Sequence, residues 1–234
     1  MKILISPSKT MSKSNVMPKK RQLLFKQEKN KLLHILKSYD LKSLQQLLKV
    51  NDKLALTNFD RYAQFKEENA ALFSYTGAQF KALNAHELDN TSLNYLDEHL
   101  MIVSGLYGLL RPFDKIAFYR LPMALKLNKL VLNIYWQEII STYLKDQLII
   151  NLTSKEYGII LHKDLNILTI EFYILKNGKL TAPSMEVKKI RGLFVRFLAE
   201  NQIVHPSTMK TFDDEGYKYS LEHSTENTLV FIRQ

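Results

Sequence analysis

At 234 residues, 46% of them hydrophobic, the chain can bury a substantial core. Its 33 basic and 23 acidic side chains leave a formal charge of +10, which suggests a polyanionic partner, with a lysine-rich composition as the competing explanation. The absence of cysteine excludes disulfides, thiolate catalysis, thiol-based sensing and Cys-ligated zinc or iron–sulfur clusters.

Residues 2–5 read as a short buried strand closed by Ser6-Pro7, with Ser8, Lys9 and Thr10 offering hydroxyls and an ammonium to an anion at its exit. Residues 11–20 are polar, carry Pro18, and are expected to form a mobile basic segment. Helical spacing over residues 21–39 sets Phe25, Leu32, Ile35 and Leu36 on one face. The stretch 44–55 has the register of a helix-hairpin-helix, within an element at about 42–66. In that motif the free N–H groups of the second helix face a DNA phosphate. Lys49 and Asn51 stand at the usual hairpin glycines, and Asn51 suits left-handed backbone or an N-cap. Lys53, in the first turn, opposes the helix dipole unless an anion lies before it. An ordinary helical hairpin is the competing reading.

Residues 91–100 are expected to be helical and 101–103 a strand. The stretch from Ser104 to Asp114 then reads as a shaped loop: Gly105 and Gly108 fall within four residues, and Pro112 holds Arg111 on extended backbone. Arg120 follows nine residues later. Only seven basic residues are arginine, and their planar forks recognise phosphate or carboxylate as lysine cannot, so Arg111, Arg120, Arg191 and Arg196 carry most weight. Residues 134–144 form an amphipathic helix with the sole tryptophan, Trp136, and 147–152 a strand ending at Thr153-Ser154, with Glu156 in the following turn. Asn177-Gly178 joins two strands as a hairpin. Ser184 opens the clearest helix, with Val187, Ile190, Phe194, Phe197 and Leu198 as its apolar stripe. Opposite lie Lys188, Gly192 and Arg196, with Lys189 beside them; at Gly192 something approaches the backbone, another helix or, as the flanking basic residues favour, an anion, and Arg191 is read as pointing inward. A strand at 228–232 finishes the sheet.

The motif Ser104–Asp114, with Tyr119-Arg120-Leu121 after it, resembles the YaaA family of peroxide stress response proteins. Further matches run along the chain in order: Ile5 to Thr10, Asp52 to Ala55, Ile150 to Tyr157, Lys188 to Leu193 and Glu215 to Tyr217. Departures are Ser8 and Thr153 where alanine is usual, and Pro122 where glutamate is common. The resemblance implies a family-specific compact α/β fold, structure-directed DNA binding, and a role in limiting iron-dependent oxidative damage. Without cysteine, any such protection is indirect.

With no linker or repeat, residues 1–234 are expected to form one α/β domain, a central mixed sheet flanked by helices. No signal peptide or membrane span is visible, so a cytoplasmic protein without membrane contact is expected. The six histidines are scattered, and neither metal nor cofactor is expected. Three strand exits carry similar chemistry: Ser6 with Lys9, Ser104 with Arg111, and Ser154 with Glu156. If those strands are parallel neighbours, their ends form one cleft, to which Gly105 and Tyr107 are assigned as well. Two functions stay open. One is DNA binding through phosphates, by Lys49, Asn51, Lys53, Arg111, Arg120, Lys188, Lys189, Arg191 and Arg196. The other is an enzyme acting on a small nucleotide-like ligand, a nucleotide or nucleobase, with Lys9, Arg111 and Glu156 as its catalytic candidates.

Overall fold

Eight strands form one mixed sheet in the computed structural model, which describes residues 1–234. They are β1 (Lys2–Ile5), β2 (Leu100–Ser104), β3 (Gly108–Leu110), β4 (Ile149–Leu152), β5 (Ile167–Lys176), β6 (Lys179–Thr181), β7 (Tyr217–Tyr219) and β8 (Thr228–Arg233). Their order is β7-β8-β5-β4-β1-β2-β3, with β6 paired to β5. The run β8-β5-β4-β1-β2 is parallel; β3, β6 and β7 pair antiparallel. Ile3, Leu4 and Ile5 are all fully buried, so both faces of the central strand are covered, as parallel strands require.

The flanking helices are α1 (Lys26–Lys37), α2 (Leu41–Leu48), α3 (Asp52–Ala63), α4 (Ala78–Leu83), α5 (Asn90–His99), α6 (Leu132–Leu144) and α7 (Ser184–Glu200). In α6 the buried residues Leu132, Trp136, Ile140 and Leu144 recur every four positions, one stripe of a helix. Helix α7 buries Ile190, Phe194 and Leu198, and Phe194 meets Phe172 of β5 edge to face with centroids 5.6 Å apart.

Three expectations change. The segment 11–20 is tied down: Met11 bridges Tyr75, the Ser12 amide donates to Ser74 O, and the Lys19 amide donates to Phe113 O. Behind it Arg21 pairs with Asp97 at 2.7 Å and Asp114 at 2.8 Å. Polar sequence with a proline is compatible with an ordered strap when its partners lie far along the chain.

The stretch 104–110 is core: every residue in it is buried. A Cβ on Gly105 would lie 2.2 Å from Leu121 O, and at Gly108, with φ of +74°, it would strike Trp136 at 2.5 Å. These glycines let backbone pack on backbone and on the indole. Gly192 likewise admits a neighbouring helix, since its Cβ would fall 2.1 Å from Gln79 O in α4. Helix packing, not an anion, explains that position.

Candidate functional site

The chain leaves β1 for β2 on one side and returns on the other side as β4. The carboxyl ends of β1 and β4 therefore mark the switch point of the sheet, where open α/β sheets hold ligands. Register sets Ile5 beside Leu152, and the residues just beyond join: the Ser154 amide donates to Ser6 Oγ at 2.8 Å, and Ser6 Oγ donates to Ser154 Oγ at 3.2 Å. Beside this clasp lies a recess lined by Pro7, Ser8, Lys9, Tyr119, Arg120, Leu121, Pro122 and Tyr157. Its volume is about 20 Å³, room for a water-sized group and not for a nucleobase.

Buried phenols floor the recess. Tyr119 Oη is 2.6 Å from Ser104 Oγ and 2.8 Å from Tyr75 Oη, while Ser104 Oγ accepts the amides of Leu106 and Tyr107. Burial pushes the Tyr119 phenol up to about 12 and drives Tyr75 and Tyr157 well above the ordinary tyrosine value. These groups stay protonated at neutral pH and serve as neutral hydrogen-bonding groups. Glu156 is half-buried in the single helical turn Lys155–Gly158 and, after burial, is the next cause holding up the Tyr157 phenol.

Arg120 is the unusual cation here. Its Nε is buried without a partner, and no carboxylate lies within 4 Å of its guanidinium. Its carbonyl accepts from Tyr62 Oη at 2.6 Å, which fixes its backbone to α3. Arg61, which precedes Tyr62 in α3, lies over the Phe118 ring at 5.5 Å and has no carboxylate within 4 Å.

Of the expected cleft, Ser6, Lys9, Ser154 and Glu156 gather at this edge. Arg111 does not. Strand β3 runs back from Gly108, opposite Ser104, to Leu110, opposite Ile102, so Arg111 falls at the other end of the sheet. There its side chain pairs with Asp114 at 2.9 Å and donates to Gln22 O, and after burial it helps lower the Lys2 ammonium. A cleft built from Lys9, Arg111 and Glu156 is thereby overturned. Ser104, Gly105 and Tyr107 are buried and do not line the recess; Ser104 reaches it only through Tyr119, and Tyr107 Oη accepts the Ala117 amide.

The expected basic face of α7 is largely neutralised. Lys189 pairs with Glu215 at 2.8 Å; Arg196 pairs with Glu200 at 2.8 Å and donates to the Leu83 and Asn84 carbonyls that end α4. Lys188 is exposed, and Arg191 has a buried Nε without a partner, its guanidinium lowered by burial and then raised by Glu171.

Helices α2 and α3 meet across Lys49-Val50-Asn51. Lys49 takes left-handed backbone with φ of 51°, and Asn51 Oδ1 accepts the Leu54 amide at 3.0 Å as an N-cap. Lys49 and Lys53 are exposed and have no acid within 4 Å. Asp52 in the same turn is held by Gln45 Nε2 at 2.5 Å. The sequence points to Tyr119 and Tyr157 only as members of stretches that resemble the family, and gives no signal for Arg61 or for a site role of Tyr75.

These features describe an α/β protein with an open, mostly parallel sheet and a basic recess at the point where its strand order reverses. The chain belongs to the family described as peroxide stress protein YaaA, whose model matches residues 1–223. It is 36% identical to the UPF0246 protein RC0754 of Rickettsia conorii over 98% of each chain. A UPF0246 protein of Rickettsia felis is 35% identical over the full length of both chains. The UPF0246 protein A1I_02510 of Rickettsia bellii is 39% identical over 87% of this chain and 88% of its own.

Proposed function

We propose that this protein binds DNA through phosphates, with the recess at Lys9 and Arg120 and the α2–α3 hairpin as two contacts on one rod. The observation that carries this is Arg120, a guanidinium without an acid partner at the mouth of a recess that admits a water-sized group. A phosphate oxygen meets that description, and a planar donor fork suits it. Helix α3 links the contacts: Tyr62 holds Arg120, and Lys53 stands nine residues earlier, about 14 Å at 1.5 Å per residue. The hairpin then acts as a helix-hairpin-helix, with Lys49, Asn51 and Lys53 presenting charge and amide donors to the backbone.

The peroxide stress role follows from counterion chemistry. Duplex DNA gathers cations on its phosphates, and a protein that neutralises phosphates releases them. Occupying DNA in this way limits iron-dependent damage by displacing ferrous ion from the sugar-phosphate surface. The protein needs no thiol for this.

Fluorescence anisotropy with a DNA duplex across a salt series is the test. Arg120→Ala and Lys53→Ala are each expected to shallow the slope of log K against log salt by about 1, and Lys189→Ala, which removes a lysine already paired, to leave it unchanged. A wild-type protein that fails to bind at low salt would end the proposal. The enzymatic reading draws on one feature, the Glu156 carboxylate beside a basic recess. Glu156→Gln should leave DNA affinity within twofold; a nucleotide-dependent reaction abolished by that change would favour the enzyme instead.

A further inference from the structure

Beyond β4 the sheet continues in β5, with β8 paired beside it from Thr169 to Ile174. Asn151 pairs with Thr169 and β4 ends at Leu152, whereas β5 runs on to Lys176 and turns back as β6. Lys176 stands about 7 Å past Ile174, the last β5 residue paired to β8, at ~3.3 Å per residue. Strand β8 stops pairing at Ile174. What remains is a short two-stranded tip of two free pairs, Leu175 with Leu180 and Lys176 with Lys179, and residues 175–185 are all exposed. Asn177 and Gly178 turn it with φ of 52° and 74°, and nothing lies within 4 Å of the Cβ position at Gly178. Because β5 is parallel to β4 and β4 to β1, the arm leaves the sheet from the same edge as the recess.

The side chains of the ribbon do not serve the fold. Lys176 faces Lys179 across the ladder, and like charges placed opposite each other are destabilising. Leu175 faces Leu180, at 39% and 37% exposure. Neither lysine has a carboxylate within 4 Å, nor has Lys188 in the adjoining helix. A local cost with no intramolecular return is what an outside contact would offset.

We infer that this arm is a further DNA contact, laying Lys176 and Lys179 against phosphates of the duplex whose backbone sits at Arg120. The inference rests on the DNA-binding reading. A two-stranded ribbon fits the major groove, about 12 Å wide, and a paired-lysine tip supplies charge to phosphates on its rim.

The test uses the whole protein. It has no cysteine, so Asn177→Cys accepts a single spin label at the tip. Duplex DNA is expected to immobilise that label, and Lys176→Ala/Lys179→Ala to shallow the salt slope by about 2. Reversing both charges should weaken binding about tenfold or more at low salt. Unchanged slope and label mobility, while Arg120→Ala still weakens binding, would overturn the arm and spare the DNA reading. Failure of the wild type to bind DNA would overturn both. Immobilisation that depends on protein concentration without DNA would instead make the arm an edge-to-edge contact between copies, which also overturns it.

Discussion

Arg111 and Arg120 are separated by nine positions, and the fold gives them opposite duties. Arg111 binds the fully buried Asp114 carboxylate through backbone and side chain, so its charge is spent inside the molecule. Arg111→Ala is expected to destabilise by about 2 kcal/mol, the scale of a hydrogen bond to a charged group, without changing the salt slope of DNA binding. Urea unfolding and anisotropy on the same variant check both halves; a loss of binding at unchanged stability would reverse the assignment. Gly192→Ala offers a sharper case, since the new methyl would meet Gln79 O at 2.1 Å. Separating α7 from α4 to admit it should cost about 1–3 kcal/mol, read as a lowered thermal midpoint. The sequence showed which residues were arginines and which glycine was anomalous. It did not show the distant partners, since Asp114 meets Arg21 across 93 positions and Glu215 meets Lys189 across 26, although Arg111 with Asp114 is a local i, i+3 pair. Arg196 and Glu200 stand at i, i+4, a spacing at which ion pairs form, although Arg196 reads from the sequence as a phosphate contact.

Among the elements, hydrophobic runs and turn residues carried most of what could be read. The strand Lys2–Ile5, the Asn177-Gly178 turn and the apolar stripe of α7 follow from local chemistry alone. Segments whose order comes from distant partners did not: residues 11–20 read as a mobile basic segment, and 21–25 as the start of a helix, until Arg21 meets Asp97 and Asp114. The α2–α3 hairpin lies between these cases. Asn51 is the N-cap its residue type predicts, while Lys49 carries left-handed backbone that glycine adopts more readily. Lys49→Gly should therefore stabilise the protein by about 1 kcal/mol and, by removing a cation from the hairpin, shallow the salt slope of DNA binding by about 1. Opposite movements of stability and binding in one variant would separate the structural role of the hairpin from its proposed role at DNA. A stability loss would mean that the lysine side chain contributes packing the geometry does not reveal.

At the scale of the whole molecule, the phenols of Tyr62, Tyr75, Tyr107, Tyr119 and Tyr157 make the fold sensitive to alkali. Burial raises all five above the ordinary value of 10.0, Tyr119 to about 12. Below pH 10 both folded and unfolded chains keep these protons, and stability is unaffected. As pH rises past 10 the unfolded chain releases protons that the folded chain retains. The unfolded state then binds fewer protons, so stability falls with pH, by about 1.4 kcal/mol per unit for each phenol still held. Several such groups acting together exhaust the 5–15 kcal/mol typical of a domain within about two units. Urea midpoints should be level near pH 8–9 and drop steeply above about pH 10, with phenolate absorbance appearing together with loss of helix. Tyr119→Phe should flatten that drop by one proton while costing about 1–3 kcal/mol at neutral pH, because Ser104 and Tyr75 lose their shared partner. Gradual phenolate titration near pH 10 with the helices intact would show these side chains reached by solvent, and the floor of the recess would then be open rather than packed.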